Sequence, residues 1–149
     1  MSPLLLIRYA GVSFPPVLML FSPLSSRGAP ALYLLFRVLV GFLFLQHGLQ
    51  KLGLLEGAFA VNGFMGFLGL CELAGGFALI IGLWTRLVAL LGAIELIGAY
   101  VTVHMGGGLL PITNKGELAL LYVATFAVLF AYGAGRLSLE RLLFKREIF

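Results

Sequence analysis

The chain is 149 residues long, 61% hydrophobic and only 11% charged, with a mean hydropathy of +1.09. That composition excludes a soluble globular enzyme and points to an integral membrane protein, in which about 20 consecutive apolar residues cross a hydrocarbon core roughly 30 Å thick. The net charge of +4 and the pI near 9.6 come from basic residues at the ends of apolar runs, so they read as topology and contact with anionic lipid headgroups and give no reason to invoke nucleic acid.

Residues 1–30 form an amino-terminal extension. Leu4 to Leu24 is apolar but is interrupted by Arg8 and by the pair Pro15 and Pro16, which removes backbone donors from any helix built there. The segment reads as a loose or interfacial extension, with a fifth span or a later start at Met19 as alternatives; no small-x-small cleavage site follows the apolar core cleanly. Four spans are predicted next, over 31–50, 62–84, 86–104 and 117–133, joined by loops too short for a soluble domain. The fold class expected is an all-α integral membrane protein, a four-transmembrane-helix bundle over 31–133, followed by a basic amphipathic tail at 134–149. Arg8, Arg27, Arg86, Arg136, Arg141, Lys145 and Arg146 fall on one side and only Lys51 and Lys115 on the other. Both termini are therefore expected on the cytoplasmic side of the membrane.

On the first span Arg37, Gly41, Gly48 and Lys51 share about 80° of arc, and His47 extends that stripe by about 40°. Arg37 lies about 9 Å above the cytoplasmic end. It either snorkels to the headgroups or pairs inside the bundle with Glu95 or Glu72. Glu72 stands in the middle of the second span, where a carboxylate costs roughly 2.5–3.5 kcal/mol on insertion scales. Gly69, Gly75 and Gly76 fall within about 60° of it, a face suited either to close helix contact or to a small cavity. Ala74, Ala78 and Gly82 repeat every four residues, as do Ala127, Ala131 and Gly135, which predicts tight helix packing along those stripes. Cys71 is the only cysteine; it excludes an internal dithiol relay and reads as a small buried hydrophobe.

Glu95 is the second intramembrane acid, with Gly92, Gly98, Ala99 and Thr102 on its side of the third span. One of the two acids is expected to neutralise Arg37 while the other stays protonated. His104 lies nine residues beyond Glu95, on the opposite face of a regular helix, unless residues 105–108 have unwound. Bis-His haem ligation by His47 and His104 is therefore disfavoured, and no metal site or intrinsic cofactor is expected. Asn114 and Glu117 have the spacing of an N-cap and its N3 acid, or alternatively shape the mouth of an outward-facing site.

In order, Arg37 with Gly41, His47-Gly48 with Lys51, Glu72 followed by Gly75-Gly76, the run from Gly82 to Arg86, His104, Gly116-Glu117, and the run from Gly135 to Glu140 resemble the pattern of the DoxX family over residues 31–143. The resemblance implies a small four-span inner-membrane protein, related to components of thiosulfate:quinone oxidoreductase or quinol oxidase systems. Two positions depart from it: Glu95 stands where the family is usually apolar, and Glu140 where it tends to have Asp. The reading that follows is a subunit or accessory of a quinone-linked redox system with a small apolar ligand pocket opening toward the outer leaflet. Glu72 would be the buried proton donor or acceptor and His47 a proton shuttle at the pocket mouth. Lys51 and Glu117 would set the field there, with Arg37, Glu95 and His104 also lining the site. The chain has no haem attachment motif, no iron-sulfur cysteines and no nucleotide-binding glycine turn, so electrons would come from a protein partner, and a homo-oligomer is also expected. Two other classes fit the same residues: a small proton-coupled transporter with Glu72 as the shared site, and a structural scaffold without turnover. The tail from Ser138 is a candidate dock or membrane-surface helix.

Overall fold

The computed structural model describes residues 28–56, 63–146 and 148. The expectations for the extension up to residue 27 lie outside the described residues. Among those described, every regular element is helical: α1 Gly28–Lys51, α2 Gly63–Ile81, α3 Thr85–Ala99, α4 Pro111–Asn114, α5 Glu117–Tyr132 and α6 Leu139–Phe144. Helices satisfy their own backbone donors and acceptors, which is the condition for crossing lipid. Three helical segments, Gly28–Lys51, Gly63–Ile81 and Thr85–Gly107, are long and apolar enough to cross a membrane. The fourth apolar helix, α5, has 16 residues and is about 24 Å long.

Neighbouring helices alternate in direction. Gly41 meets Gly76 and Gly48 meets Gly69, so α1 and α2 run antiparallel. Arg86 reaches Phe130 and Ala131 while Gly92 lies against Phe126 and Gly116 against Tyr100, so α3 and α5 do the same. The core between the pairs is Val40, Phe44, Leu79, Ala89, Tyr122, Phe126 and Leu129. Phe44 stands edge-on to Phe126 with ring centroids 5.0 Å apart.

The two seams are built differently. Across α1 and α2 the backbones touch: a Cβ on Gly48 would lie 2.5 Å from the Leu73 nitrogen, and one on Gly76 would lie 2.5 Å from the Leu45 nitrogen. The glycines around Glu72 therefore serve close helix contact, not a cavity. Across α3 and α5 a ring fills the gap, with Phe126 packed where a Gly92 side chain would be. Of the small-residue stripes predicted as packing faces, the glycine ends pack as expected, Gly82 against Arg37 and Ser138 and Gly135 against Tyr33, and the alanines largely do not. Ala74, Ala127 and Ala131 are exposed, as is Cys71, because a lipid-facing position accepts a small apolar residue as readily as a large one.

One end of the bundle is fastened by arginines. Arg37 is buried and donates from its two terminal nitrogens to the carbonyl oxygens of Ala134 and Leu137, the latter at 2.8 Å. This corrects the expectation that it snorkels or pairs with Glu72 or Glu95. These two carbonyls lie just beyond α5, next to the negative end of its dipole, and a guanidinium fork suits a pair of acceptors there. Arg86 does the same from α3, at 2.5 Å from Phe130 O and 3.1 Å from Ala131 O. The turn between α2 and α3 makes room for Arg37 through Gly82, at φ 72°, where a Cβ would come within 2.7 Å of the guanidinium carbon.

Candidate functional site

At the other end of α1 sits an ion cluster. Lys51 is the last residue of α1, and the Cα–Cβ bonds of a helix tilt toward its N-terminus, so the side chain runs back into the bundle and not outward. Gly69 gives it passage, since a Cβ there would lie 3.0 Å from the Lys51 Cβ. The ammonium donates to Glu72 Oε1 at 2.8 Å and to Glu95 Oε1 at 2.9 Å. The Glu72 side chain is 2% exposed, those of Lys51 and Glu95 15% and 13%. Glu72 Oε2 is buried without a hydrogen-bond partner among the described residues. One ammonium between two carboxylates carries a formal charge of −1 when all three are ionised, and binding of one proton makes it neutral. A pair alone would have closed the charge balance; the second acid leaves a place for a proton. The low-dielectric surroundings make that imbalance expensive and the coupling between the three groups strong.

His47, one turn before Lys51, is half-buried with its ring edge-on to Tyr122 at 5.5 Å between centroids. It lines an open hollow of about 180 Å³ with Leu43, Gln46, Gln50, Leu55 and Glu56. That volume is below the usual 300–1,000 Å³ of small-molecule sites, so the hollow does not enclose a whole ligand.

His104 is placed by a change of helix type. After Ala99 the chain takes a π turn, Tyr100–His104, and then a 3₁₀ turn, Met105–Gly107. The wider turn shifts the register, which a regular wheel cannot anticipate. His104 Nδ1 lies 3.1 Å from Asn114 O and its ring is stacked on Tyr100 at 6.2 Å. It thus joins the α3–α5 connection and makes no contact with the ion cluster.

Asn114 does not cap α5. Lys115 follows it in the left-handed region, at φ 61°, and Gly116 becomes the N-cap residue. The Asn114 side chain is buried in its own loop instead, accepting from Gly116 N at 2.8 Å and donating to Gly108 O at 2.8 Å. Glu117 opens α5, exposed, where an acid suits the positive end of the helix. The geometry thus brings together Lys51, Glu72 and Glu95, sets His47 beside them on α1, and leaves Arg37, His104 and Glu117 apart. Tyr122, which sequence reasoning passed over, is buried against His47 and Phe44. Its signal was the spacing of Ala119, Tyr122, Phe126 and Leu129 along one face of α5, hidden because the rest of that helix is equally apolar.

The chain is similar to proteins already known. The DoxX family model matches residues 32–105, the segment that carries Lys51, Glu72 and Glu95. An uncharacterized protein of Haemophilus influenzae is 35% identical over 121 residues, covering 74% of this chain and 89% of its own. A Bacillus subtilis protein named "Putative oxidoreductase CatD" is 34% identical over 119 residues, covering 75% of this chain and 87% of its own. A second uncharacterized Haemophilus influenzae protein is 39% identical over 74 residues, half of this chain. No solved structure matches. With apolar helices long enough to cross a bilayer and relatives aligned over most of their length, the chain is a multi-pass helical membrane protein that belongs to the DoxX family.

Proposed function

We propose that the protein is a proton-handling subunit or accessory of a quinone-linked redox system, spanning the inner membrane four times with both termini cytoplasmic. The observation that carries this reading is the Lys51 ammonium shared by Glu72 and Glu95 inside an apolar bundle. A site of that charge balance binds and releases one proton without moving a helix. Lys51 holds the two acids at fixed positions, Glu72 is the more deeply buried proton acceptor, and Glu95 is the acid nearer to the surface. His47, one turn before Lys51 on α1, lines the hollow with Gln46 and Gln50 and has both a donor and an acceptor nitrogen for passing a proton. A quinone, when bound, would supply the two-electron, two-proton chemistry; Gln46, His47 and Gln50 would hold its polar edge while its apolar remainder stays in lipid. Electrons would come from a partner protein. The name of the Bacillus subtilis relative, "Putative oxidoreductase CatD", supports the redox setting.

Two readouts on the full-length protein in lipid nanodiscs test this. Mass spectrometry of extracted small molecules should find a stoichiometric quinone that is lost in His47→Ala. Infrared titration should show one protonated-carboxyl band whose intensity follows pH and which changes in Glu72→Gln. A protein that carries no such molecule, and whose carboxyl bands are the same in wild type and Glu72→Gln, would sink the proposal.

A further inference from the structure

Lys51 on α1, Glu72 on α2 and Glu95 on α3 make up the ion cluster, and α5 adds one polar side chain to the same interior. Of the buried residues on α5, Ala119, Tyr122, Phe126 and Leu129, only Tyr122 carries a polar atom on its side chain. We infer that Tyr122 is a positioning residue of the proton site, its hydroxyl oxygen being the acceptor for a proton carried on Glu72 Oε2.

The chemistry of the ammonium fixes where that proton goes. A lysine has three donors and no acceptor, so Glu72 Oε1, which accepts from Lys51 at 2.8 Å, is a poor seat for a hydrogen. A neutral Glu72 therefore carries its proton on Oε2, and an O–H group buried there needs an acceptor. Glu72 Oε2 makes no hydrogen bond among the described residues. The Tyr122 hydroxyl makes none among them either, whereas Tyr33 and Tyr100 donate to Gly133 O at 2.6 Å and Leu109 O at 3.0 Å. A buried tyrosine hydroxyl usually finds a partner; Tyr122 is 6% exposed, and the Glu72 carboxylate acts on it electrostatically. Its ring is held by Phe44, His47 and Phe126, at 6.2, 5.5 and 5.9 Å between centroids. The phenol oxygen is thus fixed in place, and only its O–H bond has to turn to free a lone pair. The other groups facing Glu72 suit the task less: Lys51 has no acceptor, and Glu95 is already bonded to Lys51 and reaches toward the surface. His47 meets Tyr122 through its ring edge.

The inference rests on the reading of Glu72 as the proton acceptor, and infrared titration of the full-length protein in nanodiscs separates the two. The reference is the protonated-carboxyl band that Glu72→Gln removes. Tyr122→Phe keeps the ring and its packing, and we expect it to move that band to higher wavenumber, toward that of a carboxyl group without a hydrogen bond. Tyr33→Phe, which removes a hydroxyl bonded to Gly133 O at the opposite end, should leave the band in place. In the wild type the phenol C–O band should change over the pH range in which the Glu72 band appears, and Glu72→Gln should abolish that change; this readout needs no Tyr122 variant. A Glu72 band unmoved in Tyr122→Phe, or one that moves in Glu95→Gln and not in Tyr122→Phe, would overturn the inference and leave the proton-site reading standing. A wild type with no Glu72-dependent band would remove both.

Discussion

Arg37 and Lys51 lie on the same helix, on one polar stripe, and both are drawn into an apolar bundle, yet they are stabilised by different partners. Arg37 meets neutral carbonyl oxygens of the segment beyond the end of α5, where a planar fork satisfies two acceptors at once. Lys51 meets two carboxylates on two other helices. The first arrangement fastens chain segments and leaves no exchangeable acid in contact with the guanidinium; the second has three ionisable groups within hydrogen-bond reach. The difference separates a structural end of the bundle from an end able to carry out chemistry.

Mutations can break that contrast in graded steps. Lys51→Met removes the only ammonium between Glu72 and Glu95 and should cost about 3–5 kcal/mol of stability, read as a loss of thermal midpoint in detergent; adding Glu72→Gln should recover a large part of it. Gly76→Ala places a methyl group against the backbone of α1 and should cost about 1–3 kcal/mol as the two helices separate; the same assay measures it, and the Lys51 contacts should loosen with it. Arg37→Lys keeps the charge but has only one nitrogen for two carbonyls, an expected loss of about 1.5–3 kcal/mol with no change in the infrared carboxyl bands. Glu117→Gln, exposed at the start of α5, should stay within about 0.5 kcal/mol of wild type. A larger effect than Lys51→Met from any of these would erase the distinction between the two ends.

Much of this was legible in the residues. Hydropathy located the helices to within a few positions, and the shared arc of Arg37, Gly41, Gly48 and Lys51 marked the inward face of α1, on which Arg37, Gly41 and Gly48 are buried. The glycines near Glu72 left close contact and a small cavity equally open, and the structure uses them for close contact. The partner of Arg37 was not legible, because backbone carbonyls beyond a helix end leave no trace in side-chain identities. The position of Lys51 suggested a residue at the membrane surface, and only the backward tilt of its side chain turns it into the counter-ion of two buried acids. Asn114 was misread as the cap of α5, because the left-handed Lys115 moves the N-cap two residues on, to Gly116, and needs no distinctive sequence. His104 was expected to face away from Glu95, and it stands clear of the ion cluster, its surroundings set by the π turn at Tyr100–His104. On α5 uniform apolarity concealed which stripe, that of Tyr122 and Phe126, faces inward.

The anchoring of Arg37 also sets an order of events during synthesis. A chain that enters the bilayer amino end first delivers Lys51 and its first acid within one helical hairpin, whereas the carbonyls that Arg37 requires lie 97 and 100 residues further along. Until α5 has been threaded and its end has closed over α1, that guanidinium has no native partner and must be held by lipid headgroups or by the insertion machinery. The end of α5 and the segment after it therefore act as the lock on α1, and a chain truncated before Ala134 would release a half-assembled bundle in which Arg37 is still unsatisfied.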